Sequence, residues 1–153
     1  MTLREPLHII GGGLVGSEAA WQLAQRDHDV VLHEMRGVRG TAAHRTEKLG
    51  ELVCSNTFTS TETTNARGLL KAEMRLLGSF VLDCADSARV PGDTALSVDC
   101  ELFSQAVHDR VPAHPRIAVV REEVRDMPSP GIIATGPLTS DVLAESVRAK
   151  LGV

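Results

Sequence analysis

Hydrophobic and polar positions along this chain follow two different periods, and glycines mark where one gives way to the other. Leu7-His8-Ile9-Ile10 is a short apolar run stopped by three glycines in a row, which predicts a central strand. Leu14, Ala20, Leu23 and Ala24 then recur at helical spacing and predict a helix over Leu14 to Gln25. Its exit, Arg26-Asp27-His28-Asp29, calls for one left-handed residue, a conformation aspartate tolerates less well than glycine. Val30-Val31-Leu32-His33 predicts a second strand, ending at Glu34. Strand, glycine turn, helix and strand in this order have the shape of a βαβ unit.

The periodicity lapses from Met35 to Thr64, a stretch rich in Thr, Gly, Ser and charge. It predicts a long ordered loop with one short helix, and loops of that length inside compact domains are usually functional. Asn65 to Leu77 returns to a helical pattern, with Leu69, Leu70, Met74 and Leu77 on one side and Gly78 just beyond. Asp99 reads as the N-cap of a further helix through about Arg110. Ile117 to Val120 and Gly131 to Ala134 predict two more strands. Ser140 caps a last helix with Arg148 and Lys150 in its final turn, where the helix dipole favours cations. The element order is α/β, and residues 1–153 read as one domain.

Composition narrows the function classes. With 153 residues, 42% of them apolar, the chain can bury a proper core and does not have a disordered composition. Its apolar runs are too short to cross a bilayer. Met1 to Pro6, which includes Arg4 and Glu5, lacks the apolar core and cleavage site of a signal peptide. A cytoplasmic location without a membrane partner is the expectation. The net charge of −4 argues against a general nucleic-acid clamp. Even so, the segment 36–48 sets Arg36, Arg39, His44, Arg45 and Lys48 against one acid, Glu47, as a local patch or a solvated loop. Aromatic residues make up 3%, too few for a visible nucleobase-stacking platform. Cys54, Cys84 and Cys100 have neither disulfide-framework nor metal-ligand spacing, so no metal site is expected and thiols in a reducing compartment fit best.

The chemistry concentrates at Gly11-Gly12-Gly13-Leu14-Val15-Gly16, a G-x-G-x-x-G pattern lying between a predicted strand and a predicted helix. The hexamer is a weak signal alone; its setting, with an acid ending the next strand, makes it a dinucleotide-binding fingerprint. Gly11 permits the tight turn, Gly13 lets backbone approach a pyrophosphate, and Gly16 lets the helix pack hard on the sheet. The helix N-terminus offers unpaired N–H groups to the phosphates. Glu34 is placed to accept hydrogen bonds from the adenosine ribose and to repel the extra phosphate of NADP. This pattern does not separate FAD from NAD. The apolar strand ending in Ala134-Thr135-Gly136 leans toward FAD, because it resembles the strand of two-dinucleotide-binding flavoproteins that returns beside the first and approaches the flavin.

A longer set of residues carries a specific resemblance. Gly11 to Ala24, Glu34-Met35-Arg36, Ala43-His44, Glu51-Leu52-Val53-Cys54-Ser55-Asn56, Asn65, Gly68-Leu69-Leu70, Glu73-Met74-Arg75 and Ala134-Thr135-Gly136-Pro137-Leu138-Thr139-Ser140 occur in this order. Together they resemble the folate- and FAD-dependent tRNA (uracil-5-)-methyltransferases over essentially the whole chain. The resemblance implies a Rossmann-like FAD-binding domain of the two-dinucleotide-binding type, with Gly11, Gly12, Gly13, Leu14, Val15, Gly16, Glu34 and Gly136 at the cofactor. It also implies a reaction: a one-carbon unit from methylenetetrahydrofolate is placed on carbon 5 of a T-loop uridine in tRNA. Reduced flavin supplies the electrons, with NAD(P)H as reductant. A cysteine thiolate suits this chemistry, since its addition to the neighbouring carbon makes uracil carbon 5 nucleophilic. Cys54 is the cysteine inside a family motif, as that nucleophile or as a partner thiol near the flavin, set against the plain alternative of a small buried residue in a tight loop. Cys84 and Cys100 read as packing residues, and Arg36 either balances pyrophosphate charge or pairs with Glu34.

Two positions depart from the family pattern: Gly37 stands where a proline is usual, loosening that loop, and Asp27 replaces the usual glycine at the first helix's exit. Family members are also considerably longer. The expectation is a truncated FAD-binding portion that lacks the second domain, is inactive by itself and binds FAD weakly or not at all. The competing readings are the related flavoprotein that modifies the tRNA wobble uridine and a non-catalytic dinucleotide-binding fragment.

Overall fold

A computed structural model describes residues 5–92 and 94–152. Met1 to Arg4, read above as a lead-in that is not a signal peptide, lie outside the described residues. Strands β1 (Leu7–Ile10), β2 (Val30–Glu34), β5 (Ile117–Arg121) and β6 (Gly131–Ile133) form one sheet in the order β5-β2-β1-β6. All three pairings are parallel, with Ile9 opposite both Leu32 and Ile132, and Leu32 opposite Val119. This is the Rossmann-like α/β arrangement, and its register brings the carboxyl ends of β1, β2 and β6 to one edge, where such sheets place ligands.

One face of this sheet is the core. Ile9, Val30, Leu32 and Ile117 are buried in one cluster with Ala20 and Ala24 of α1 (Leu14–Ala24). Val107 and Val111 of α4 (Cys100–Ala113) belong to the same cluster. The caps fall where the side chains predict them: Asp99 accepts from the N–H groups of Glu101 and Leu102, and Ser140 from that of Leu143 at the start of α5 (Asp141–Leu151). Asp27 takes the left-handed turn after α1, with φ of 63°, and is paired with Arg116. None of the described helices is long and apolar enough to cross a membrane.

Three expectations change. The loop predicted from Met35 to Thr64 contains a strand, β3 (Thr57–Ser60), and no helix; β3 pairs antiparallel with β4 (Ala95–Ser97). Thr-Phe-Thr-Ser carries one large apolar side chain and finds its partner far along the chain, so no local period betrays it. A helix unread in the sequence, α3 (Phe80–Ser87), buries Phe80, Val81, Leu82, Cys84 and Ala85 and exposes Asp83, Asp86 and Ser87; at 8 residues its polar stripe spans barely two turns.

The third change is the facing of α2 (Ala66–Leu76). Leu69, Leu70 and Leu77 are exposed, and of the predicted apolar side only Met74 reaches the core cluster. Gly68 and Lys71 face inward instead. A methyl group on Gly68 would lie 2.0 Å from the Glu62 carbonyl oxygen, and Lys71 Nζ donates to the carbonyls of Phe58 and Arg67, both at 2.8 Å. Close backbone contact at Gly68 and the Lys71 hydrogen bonds to Phe58 and Thr59 of β3 set the rotation of this helix against the pull of its leucines.

Helix α1 is tied to α3 by a carboxylate. Glu18 accepts from Ser79 Oγ at 2.9 Å and from the N–H groups of Phe80 and Val81 at 3.1 and 2.8 Å. A negative charge thus sits on the positive end of α3. Replacing Glu18 with Ala is expected to lower the unfolding free energy by about 2–3 kcal/mol, since charge-assisted hydrogen bonds are lost and buried donors are left unpaired. Urea denaturation checks this; a cost below about 0.5 kcal/mol, the scale of a neutral surface change, would show that the carboxylate is not holding the two helices together.

Candidate functional site

The turn from β1 into α1 is fixed by backbone contacts. Gly11 has a φ of +106°, and its N–H donates to the His33 carbonyl at 2.8 Å. A methyl group on Gly11 would lie 2.7 Å from the Ala134 carbonyl oxygen, and one on Gly16 would lie 1.7 Å from that of Gly11. Both are backbone obstacles, so the first turn of α1 is seated directly on the ends of β1 and β6. Gly13, the N-cap of α1, has no side-chain cap, and the space beside it holds no atom within 4 Å. Among the described residues no group accepts from the N–H of Gly13, Leu14 or Val15. Three amide donors and the positive helix end face open space, the arrangement that receives an anion.

That space opens into a cavity of about 510 Å³. Gly11, Gly13, Leu14, Val15, Glu34, Cys54 and Gly136 all line it. Gly12 and Gly16 do not: the N–H of Gly12 is spent on Glu34, and Gly16 serves the packing contact above. The far wall comes from Leu52, Val53 and Phe58, and the third side from Ala134, Thr135 and Pro137. Gly136 takes φ of +59° at the start of a 3-10 turn, Gly136–Leu138, where Thr139 Oγ1 donates to its carbonyl at 2.8 Å.

Glu34 is buried and already saturated. Its Oε1 accepts from the N–H and Nε of Arg36 at 2.9 and 3.0 Å; its Oε2 accepts from the N–H of Gly12 at 2.8 Å and from Arg36 Nη2 at 3.0 Å. Burial raises the Glu34 carboxyl, but the Arg36 and Gly12 hydrogen bonds and the Arg36 charge outweigh it and hold the group below its ordinary value. The choice left open for Arg36 in the sequence resolves to pairing with Glu34, and its guanidinium also reaches Glu51 at 3.4 Å. Glu51 accepts from the N–H groups of Arg45 and Thr46 at 2.8 and 3.1 Å and from Thr46 Oγ1 at 2.8 Å, so it organises the loop over the cavity. The part played by Glu51 was not read from the sequence; its one signal was its place at the head of the Glu51-Leu52-Val53-Cys54-Ser55-Asn56 stretch.

The remaining candidates sort by burial. Cys54 is exposed at the cavity, not a small residue buried in a tight loop. Cys84 is the buried thiol, pushed up to about 11 by burial. Cys100, expected to pack, is exposed in the first turn of α4. Burial and then the Arg36 charge push the His44 imidazole below its ordinary value, and its Nδ1 lies 2.7 Å from Thr41 Oγ1. Gly37, expected to loosen its loop, has a φ of +98°, which proline cannot adopt; this turn requires glycine.

The depressed Glu34 carboxyl fixes a pH dependence. A group whose folded value lies below its unfolded one stabilises fully above the unfolded value, and loses that contribution as pH falls through the folded one. Glu34→Gln is therefore expected to lower stability by about 3 kcal/mol at pH 7, as removal of one partner of a buried ion pair does. That difference should shrink below the ordinary carboxylate range. Thermal melts of both proteins from pH 7 downward check this, and a difference independent of pH would contradict it.

Comparison with known proteins agrees with the fold. A solved structure of Aquifex aeolicus GidA superposes with a TM-score of 0.62 at 18% identity, over 80% of this chain and 20% of that one, a likeness of fold. Curated relatives named Methylenetetrahydrofolate--tRNA-(uracil-5-)-methyltransferase TrmFO are 58% identical in Brucella anthropi and 57% in Rhizobium meliloti. Each match covers 96% of this chain and 32% of the relative, so the chain spans about a third of the length of the curated relatives it matches. The family profile described as Glucose inhibited division protein A matches residues 6–149, from before β1 to the last turns of α5, and the chain belongs to that family.

Proposed function

We propose that residues 1–153 form the FAD-binding portion of a cytoplasmic folate-dependent tRNA (uracil-5-)-methyltransferase. The observation that carries this reading is a single cavity lined at one side by the bare amides of α1 and at another by Cys54. The name borne by relatives more than half identical to the chain supplies the reaction class.

In this reading Gly13, Leu14 and Val15 hold the pyrophosphate through their N–H groups. Glu34 receives the adenosine ribose, and Gly136, at the head of the 3-10 turn, flanks the ribityl and flavin end. The flavin, once bound, supplies the reducing electrons that a one-carbon unit at the methylene level needs to become a methyl group. NAD(P)H is the external reductant. The Cys54 thiolate would add to carbon 6 of the target uracil, and the ring electron pair would move to carbon 5, which bonds the one-carbon unit as one of the unit's bonds to its folate nitrogens breaks and that nitrogen takes up a proton. Loss of the carbon 5 proton would expel the carrier nitrogen and leave an exocyclic methylene; two electrons and a proton delivered there complete the methyl group, the thiolate departs and the aromatic base is restored. Exposure of Cys54 suits a nucleophile that must meet a base presented by a large RNA.

Two outcomes test the reading. Gly13→Asp places a carboxylate in the open space beside the N-cap, where it costs no clash and caps the helix. It is expected to preserve or raise stability and to weaken FAD or ADP binding at least about 100-fold by charge repulsion and occupation of the amides. Unchanged affinity would remove the pyrophosphate from this turn. The second test exchanges this chain for the matching third of the Brucella anthropi relative. The hybrid is expected to methylate carbon 5 of the T-loop uridine, and Cys54→Ala in it to lower kcat by about 1000-fold or more, the scale of losing a covalent nucleophile. A hybrid that binds FAD but modifies the wobble uridine, or no uridine, would overturn the assignment.

A further inference from the structure

We propose that Arg36 is passed between two carboxylates when a ribose binds, so that Glu51 acts as a positioning residue that couples cofactor binding to the loop over the cavity. The inference rests on the dinucleotide reading of this cavity and deepens it.

Glu34 makes four hydrogen bonds, two on each oxygen. One on each oxygen comes from the main chain, the N–H of Arg36 on Oε1 and that of Gly12 on Oε2. The other on each comes from the guanidinium, Nε on Oε1 and Nη2 on Oε2. A carboxylate has about four acceptor positions, so a ribose with two hydroxyl donors finds none vacant. Release of the guanidinium frees one position on each oxygen, the number and placement that two adjacent hydroxyls require. The main-chain donors stay, and they keep the carboxylate in place.

Arg36 has somewhere to go. Its Nη1 lies 3.4 Å from Glu51 Oε2 and its Nη2 3.5 Å from the Gly12 carbonyl, both long contacts with room to shorten. Arg36 is 3% exposed, so a displaced guanidinium does not find water and tightens onto the remaining carboxylate. Glu51 in turn holds the peptide N–H groups of Arg45 and Thr46. His44, the residue before them, lines the cavity. Filling the ribose site therefore stiffens the segment Thr41 to Leu52, although the ribose touches none of its main-chain donors.

Hydrogen exchange on the full chain with ADP tests this, because ADP carries the ribose and pyrophosphate without the flavin. At saturation, ADP is expected to slow exchange at the Arg45 and Thr46 amides at least about fivefold. 2′,3′-Dideoxy-ADP keeps the pyrophosphate and lacks both hydroxyls, so it should bind more weakly and leave those amides unchanged. Glu51→Gln should weaken ADP binding several-fold while leaving dideoxy-ADP binding near its wild-type value, a split that general destabilisation of the loop would not produce. If ADP binds and the two amides do not respond, or both nucleotides slow them equally, the Arg36 exchange is wrong and the dinucleotide site stands. If ADP does not bind at all, the dinucleotide reading fails and the exchange fails with it.

Discussion

The contact on which the rest of this structure depends is the one between Gly16 and the Gly11 carbonyl, close enough that an added methyl group would lie 1.7 Å from the oxygen. It seats the first turn of α1 against the carboxyl end of β1, and Gly11 in turn lies against Ala134 at the end of β6. No side chain intervenes, so the helix dipole ends where three strands end. The core behind, with Ile9, Leu32, Ala20 and Ala24 buried, keeps that geometry from relaxing.

Charge is then placed around this turn. Glu34 belongs to the sheet edge and Arg36 to the turn that follows, and together they form a buried ion pair whose carboxylate also holds the Gly12 amide. A buried pair of this kind adds little net stability over apolar packing, and its value lies in fixing geometry. Here it fixes the acidic group that faces the cavity, and through Glu51 it reaches the loop that carries His44. Cys54 follows in the same stretch of chain and lines the same cavity as Glu34 and the start of α1.

Much of this was legible from local chemistry. The βαβ unit, the left-handed Asp27 and the caps at Asp99 and Ser140 are decided by residues within a few positions of one another. What escaped was set by distant partners. Strand β3 exists because β4 lies beside it, some forty residues on. Helix α2 turns its leucines outward because Gly68 must fit against Glu62, and Lys71 must reach Phe58. Helix α3 has its own Ser79 cap and a polar stripe of Asp83, Asp86 and Ser87, but it is only 8 residues long, and its start is also held by a carboxylate from α1. In the site, the glycines, Glu34 and Cys54 were legible as types in a pattern; the saturation of Glu34 was not, since it depends on Arg36 folding back over its neighbour.

The central claim is that the α1 amides receive a pyrophosphate. The most direct measurement is the amide proton and nitrogen shifts of Gly13, Leu14 and Val15 during titration with ADP and, separately, with adenosine. The account predicts large downfield shifts at these three amides with ADP and small ones with adenosine, which lacks phosphate. Equal shifts with both ligands, or an ADP response confined to other parts of the chain, would contradict it.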